Sequence, residues 1–353
     1  MKLLRKITYL MLVLTMVLTL AACGGNTTPT TEEPKPEEPA AAGAIAKLGL
    51  GKVVSLAKSS EIGEEGGSAQ EDTTVVAAGF DADGKIVSVT IDVAQNKAKF
   101  EAGGALGFDA AASGKSKKEL GADYDMLKES KIGKEWFEQA EALEAYWIGK
   151  TADEVMNMEV TERDAAHKAV PASADLTSSV TITIDGYQQA LKDAWDNAVD
   201  VAAPATKVGL GLVSGYGRGT KAAEGENGAS AQFETYMSAV AVDDEGKVAE
   251  VLIDTAQNTV AYGADGKLSP EFKPEGTTKK VLKDDYDMRK ASGIGKEWFE
   301  QIEAFEDHLI GKTAEEISGL TLEEGKPVDL ASSVTISVGG YQTVVGEAIT
   351  NAK

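Results

Sequence analysis

The octapeptide Ile132-Gly-Lys-Glu-Trp-Phe-Glu-Gln139 recurs letter for letter at residues 294–301, and other segments recur around it. Ile91-Asp-Val-Ala-Gln-Asn96 answers Ile253-Asp-Thr-Ala-Gln-Asn258, and Asp123-Tyr-Asp-Met126 answers Asp285-Tyr-Asp-Met288. Near the end of each copy, Asp175-Leu-Thr-Ser-Ser-Val-Thr181 answers Asp329-Leu-Ala-Ser-Ser-Val-Thr335. Trp136 and Trp298 lie 162 residues apart but Thr181 and Thr335 only 154, so the first copy holds eight extra residues between Thr151 and Asp175. Units of this size are tandem domains and not the short repeats of a solenoid, and each is long enough to bury a core. The expected domains are residues 46–198 and 206–353. Residues 199–205, with Ala202-Ala-Pro-Ala205, are the joint, short enough that the copies are expected to fold separately.

Within a copy the pattern points to an α+β fold, an antiparallel sheet with helices packed on it. Apolar residues alternate on both sides of Asp83-Gly84 from Val75 to Val93, which reads as a hairpin. Asp81-Ala-Asp83-Gly84 lacks the glycine position and the final glutamate of a calcium loop. Lys134 to Ile148 reads as an amphipathic helix through Trp136, Ala140, Leu143 and Trp147, with Gly149 placed to end it. Thr151-Ala-Asp-Glu154 and Thr313-Ala-Glu-Glu316 read as capping boxes of a short second helix. The β-branched Ile182-Thr183-Ile184 and Ile336-Ser337-Val338 predict a late strand before a turn at Tyr187 or Tyr341. The tryptophan stripe reads as core, leaving Tyr124 and Tyr286 as residues that could line a ligand.

The chain carries 35 Lys+Arg against 57 Asp+Glu, a net charge of −22, which repels nucleic acid and anionic lipid. Residues 1–22 read as a signal peptide: Lys2, Arg5 and Lys6 precede an apolar run from Ile7 to Leu20 too short to span a bilayer. Leu20-Ala21-Ala22-Cys23 resembles the bacterial lipoprotein box. That resemblance implies cleavage before Cys23, acylation of Cys23 with fatty acid such as palmitate, and anchorage on the outer face of the cell membrane. Cys23 is the one cysteine of the chain, so no internal disulfide is available. Residues 23–45, rich in Thr, Pro, Glu and Ala, have the composition of a disordered tether.

His167 and His308 do not correspond between copies, so neither a repeated His/Cys metal site nor a repeated Ser-His-Asp triad is supported. Gly209-Leu-Gly211 and Gly215-Tyr-Gly217-Arg-Gly219 fit no phosphate-loop spacing. What recurs is a carboxylate, two serines and a threonine. One reading of them is an ordinary strand start capped by Asp and Ser.

Asp175-Leu-Thr-Ser-Ser-Val-Thr181 also resembles the attachment motif of the FMN-binding domain family, found in the flavin subunits of sodium-pumping quinone reductases. The family pattern is roughly Asp-x-x-Ser/Thr-Gly-Ala-Thr/Ser, and a flavin transferase with FAD as donor esterifies its last hydroxyl with FMN. Asp175, Ser178 and Thr181 fit that pattern, as do Asp329, Ser332 and Thr335. Ser179 and Ser333 stand where the family has glycine, and Val180 and Val334 where it has alanine. With the anchor and tether, nearly the whole chain is similar to the flavoprotein lipoproteins of Gram-positive extracellular electron transfer. The resemblance implies two covalent FMN groups, on Thr181 and Thr335. It further implies a carrier and not a turnover enzyme, passing electrons from a membrane quinol-linked donor to extracellular acceptors. The alternative is a cofactor-free lipoprotein that binds a solute or cell-wall ligand between its two domains.

Overall fold

The computed structural model describes residues 44–165 and 167–353; the expected signal peptide, Cys23 and nearly all of the tether lie outside them. The first copy runs β1 (Lys47–Ser55), β2 (Gly67–Phe80), β3 (Ile86–Phe100), α1 (Lys117–Leu120), α2 (Trp136–Trp147), α3 (Ala152–Met156), β4 (Val160–Thr161), β5 (Val170–Pro171), α4 (Asp185–Asp196) and β6 (Val199–Asp200). The second runs β7 (Lys207–Tyr216), β8 (Ser230–Val242), β9 (Val248–Ala261), α5 (Lys279–Leu282), α6 (Trp298–Leu309), α7 (Ala314–Ser318), β10 (Leu322–Glu323), β11 (Lys326–Pro327) and α8 (Gly339–Thr350). Short 3-10 turns at Gly121–Tyr124 and Lys283–Tyr286 follow α1 and α5. The class is mixed, with antiparallel sheets and packed helices, as the patterning predicts.

Each copy builds one antiparallel meander, β3-β2-β1 extended by β6 in the first and β7-β8-β9 in the second. The predicted hairpin is present and longer than its apolar run, pairing Gly67 with Phe100 at its far end. Its turn closes on Asp81, whose carboxylate accepts the N–H groups of Asp83 and Lys85 at 2.9 and 2.8 Å, and Gly84 takes φ +78°. Asp243 and Gly246 repeat the turn in the second copy.

Side chains alternate across a strand, and here both faces of the central strand are apolar. Val76, Ala78 and Phe80 of β2 face a core completed by Trp136, Leu143 and Trp147 of α2 and Leu191 of α4. Val75 and Ala77 face the other way and meet Val208, Leu210, Leu212, Met237 and Ala239 of the second copy. The second sheet carries α6 and α8 on its outer face in the same manner. The two sheets therefore stack back to back with helices outside, and the described residues form one compact unit.

The expectation of separately folding domains gives way to this shared core. The joint takes part in it: Val199 and Asp200 form β6 on the edge of β1, and Ala205 is buried between the sheets. Ile45, assigned to the tether, is buried there as well.

Glycines set how closely helix meets sheet. A Cβ on Gly49 or Gly51 would lie 2.2 Å from the carbonyl oxygen of Ala194 or 1.7 Å from that of Ala190, both on α4. Gly209 and Gly211 stand in the same relation to Ala348 and Val344 of α8, at 1.8 and 1.9 Å. The Gly-x-Gly of β7 is thus a seat for a helix.

One carboxylate interrupts the layer between the sheets. Glu71 is fully buried and accepts hydrogen bonds from Thr73 at 3.3 Å, Thr235 at 3.1 Å and Asn258 at 2.8 Å. Asn96 donates to Thr235 and Ser214 donates to Asn96, so the chain of bonds crosses from copy to copy. Burial pushes the Glu71 carboxyl up from 4.5 to about 7, against the pull of these donors. A carboxyl raised by folding contributes stability below about pH 4.5 that is lost as pH rises through about 7, up to about 3 kcal/mol here. Glu71→Gln should accordingly narrow the fall in stability between pH 5 and pH 7.5 measured by urea unfolding. An unaltered slope would place the proton elsewhere.

Candidate functional site

The recurring Asp/Ser/Thr segment is not a strand start. Residues 175–180 form tight turns in which the N–H groups of Ser179 and Val180 both donate to the Leu176 carbonyl at 2.8 Å. In the second copy Ser333 and Val334 donate to Leu330 in the same way. The predicted late strand is absent: Ile182-Thr183-Ile184 and Ile336-Ser337-Val338 lead directly into α4 and α8. Strand propensity reflects packing in a ladder, and these segments form none: each gives one backbone bond to the flanking hairpin, from Ile184 N–H to the Ala169 carbonyl at 2.9 Å and from Val338 N–H to the Gly325 carbonyl at 2.8 Å. Instead Ile184 and Val338 are fully buried under the helices, and Tyr187 and Tyr341 lie in the first turns of α4 and α8.

Burial decides which groups of the turn face outward. Leu176 and Val180 sink into the first outer core, and Val334 into the second. Asp175, Ser178, Asp329 and Ser332 are exposed, whereas Ser179, Ser333, Thr181 and Thr335 are half-buried at the rim. The hydroxyls of Ser179 and Ser333 donate back to the Leu176 and Leu330 carbonyls at 3.2 and 3.3 Å. Neither serine has positive φ, so glycine is not required by the backbone at this position.

The threonines are held by a group not singled out from the sequence. The side-chain oxygen of Gln139, buried on α2, accepts both the N–H of Thr181 at 2.8 Å and its hydroxyl at 3.3 Å. Gln301 holds Thr335 likewise, at 2.7 and 3.1 Å. Each glutamine is fixed in turn by donating to Lys134 O or Lys296 O at 3.1 Å. Gln139 and Gln301 close the octapeptide repeated letter for letter, which was the signal available for them. Asp175 and Asp329, by contrast, are not among the partners of the threonines.

The same helix organises the rest of the region. Glu135 caps α2 and accepts the N–H groups of Met126 and Leu127 at 2.9 and 3.1 Å, fastening the Asp-Tyr-Asp-Met turn. Glu297 does the same for Met288 and Arg289. Trp136 is buried and donates to the Tyr187 hydroxyl at 2.9 Å, as Trp298 does to Tyr341 at 3.0 Å. The tryptophan stripe is therefore core, as its spacing predicts. Burial raises both tyrosine hydroxyls above their ordinary range and keeps them neutral. Tyr124 and Tyr286 lie beside the tryptophans, with Lys117 4.7 Å from one ring centre and Lys279 5.0 Å from the other. Burial holds the Lys279 ammonium below the usual lysine range.

The two sites differ in the hairpin that flanks them. β4 and β5 are joined by eight residues, 162–169, where β10 and β11 are joined by Glu324-Gly325 alone. Three residues then precede Asp175 and only Val328 precedes Asp329, which accounts for the length difference between the copies. Arg163 of the longer loop donates to the Thr181 carbonyl at 2.8 Å. Beside Thr335 lies a cleft of about 300 Å³ lined by Glu323, Glu324, Lys326 and Pro327.

Chemically, the arrangement presents a threonine hydroxyl whose hydrogen-bond partner is an amide. An amide neither takes nor gives a proton near neutral pH, so the hydroxyl is placed but not activated. Among the described residues no three His, Cys, Asp or Glu side chains converge as metal ligands, and no helix is long and apolar enough to cross a membrane. No protein family, no curated protein and no solved structure matches this chain.

Gln139→Ala should lower stability by about 1–3 kcal/mol in urea unfolding, since it strips the Thr181 N–H of its partner in a half-buried turn. A variant as stable as the parent would show that the amide is not a clamp.

Proposed function

We propose that this protein is a surface-anchored electron carrier with one FMN esterified to Thr181 and one to Thr335. The observation that carries the reading is the matched placement of those two hydroxyls. In each copy the threonine stands half-buried at the rim, oriented by a glutamine amide and with no base bonded to its hydroxyl among the described residues. Such a group suits a residue modified once by another enzyme better than one that turns over. The residues fit a flavin phosphoester: both threonines are only half-buried, a cleft adjoins Thr335, and the serines in the glycine position turn back onto the backbone.

Covalent attachment matters outside the cell, where a ligand held by contacts alone is lost as its free concentration falls. The flavin supplies the electron chemistry, and the chain supplies anchorage and surroundings. On this reading a flavin transferase loads both threonines from FAD, and Cys23 carries the lipid. A membrane quinol-linked reductase donates electrons, which leave to extracellular acceptors.

The second reading, a cofactor-free ligand-binding lipoprotein, is favoured by a cleft of about 290 Å³ where the copies meet, lined by Leu50, Lys52, Leu252, Asp254 and Phe299 among others. One experiment separates them. Protein made with and without the transferase is denatured and run on a gel. Flavin fluorescence in the band, present only with the transferase, is the result expected of the carrier. A dark band despite an active transferase leaves the binding reading.

A further inference from the structure

We propose that Arg163 is the phosphate-contacting residue of the first site, which makes the two attachment sites unequal; this rests on the flavin reading above. Arg163 belongs to the loop that is longer in the first copy, and its guanidinium reaches back to the residue proposed to be modified. One terminal nitrogen donates to the Thr181 carbonyl at 2.8 Å, while Nε donates to Asp164 at 3.1 Å. Asp164 also pairs with His167 at 2.6 Å. The guanidinium is planar, permanently charged and forked, so fixing two of its nitrogens fixes where its remaining N–H groups point. The guanidinium already touches the backbone of the residue that would carry the phosphate, and a guanidinium–phosphate contact is among the stronger charge-assisted bonds.

The second copy has no such group. Its hairpin turns through Glu324, at φ +50°, and Gly325, at φ +79°, and places Glu323, Glu324 and Lys326 around Thr335. At Thr181 one guanidinium stands against the one carboxylate of Asp164, whereas at Thr335 two carboxylates stand against one ammonium, so the second site is the more repulsive to a phosphate. In the loading step the threonine oxygen bonds to the phosphorus on the FMN side of FAD. The pyrophosphate bond breaks, AMP leaves with the electron pair, and the hydroxyl proton is released. With Arg163 held at the Thr181 carbonyl, the first site should load faster and keep its phosphate in a distinct environment.

The test uses the whole chain, the transferase and FAD, with site-resolved peptide masses at short times and ³¹P spectra of the loaded protein. Arg163→Gln removes the charge and the terminal N–H groups that reach the Thr181 carbonyl, keeping a donor only where Nε stood beside Asp164, and Arg163→Lys restores charge without the fork. Expected is a loss of about tenfold or more in initial rate at Thr181 for the glutamine variant, with partial recovery for lysine and no change at Thr335. One of the two phosphodiester resonances should move in both variants and the other in neither. Equal rates at Thr181 in wild type and Arg163→Gln, with both resonances unmoved, overturn the assignment while leaving flavin attachment intact. Absence of flavin from both threonines in the wild type overturns the attachment itself and the assignment with it.

Discussion

Gly51→Val should leave a chain that does not fold, and Gly211→Val should do the same. A Cβ at either position falls within 2 Å of a helix carbonyl oxygen, closer than any atoms can approach without a bond. The obstacle is backbone on both sides, β1 against α4 and β7 against α8, so no side-chain rotation relieves it. Overpacking a core ordinarily costs about 1–3 kcal/mol when side chains can yield, and here a whole helix must lift from its sheet. Total stability is typically only about 5–15 kcal/mol. Soluble yield and circular dichroism report the outcome. A Gly51→Ala protein melting with the parent would mean that α4 does not rest on β1.

Trp136→Ala and Trp298→Ala should each destabilise by about 3–5 kcal/mol, mainly through the cavity left where a ring 2% exposed had packed. A second effect separates the two. Loss of Trp136 takes away the hydrogen bond made to the Tyr187 hydroxyl, whereas Tyr341 also receives a bond from Thr255 at 3.4 Å. Trp136→Phe, which keeps most of the packing, should therefore cost about 1 kcal/mol more than Trp298→Phe. Because the copies share the core between their sheets, every one of these variants should shift a single unfolding transition in urea. Two transitions, only one of them moved, would restore the picture of separately folding domains.

Local features were the legible part. The hairpin, the tryptophan helix, Gly149 at φ +80° and both Thr/Glu capping boxes depend on residues within a few positions of one another, and all are present. What failed to show were the effects of distant partners. Ile182-Thr183-Ile184 has the composition of a strand, but the hairpin alongside takes a single backbone bond from it, at Ile184, and no ladder forms. Gly209-Leu-Gly211 has the look of a phosphate loop because nothing nearby in sequence announces that α8 will lie across it. The joining of the copies was half-visible, since Val75 and Val76 are both apolar and a strand buried on both faces needs cover on both. The candidate threonines were singled out by their repetition. Their glutamines were not, because an amide in a helix carries no chemistry until the turn it holds is in place. Arg163 lay in the segment the second copy lacks, where comparison between copies has nothing to offer.

The most direct measurement is site-resolved mass spectrometry on denatured protein made with its flavin transferase. The expected result is one flavin-phosphate mass on the peptide holding Thr181 and one on that holding Thr335. Thr181→Ala should remove the first alone, Thr335→Ala the second alone, and the double variant both. Alanine takes away the oxygen that would carry the ester, and the turn keeps the burial of Leu176 and Val180 that pins it. Flavin found instead on Ser178, Ser179, Ser332 or Ser333 would shift the attachment point, and unmodified peptides beside an active transferase would contradict a flavin carrier altogether.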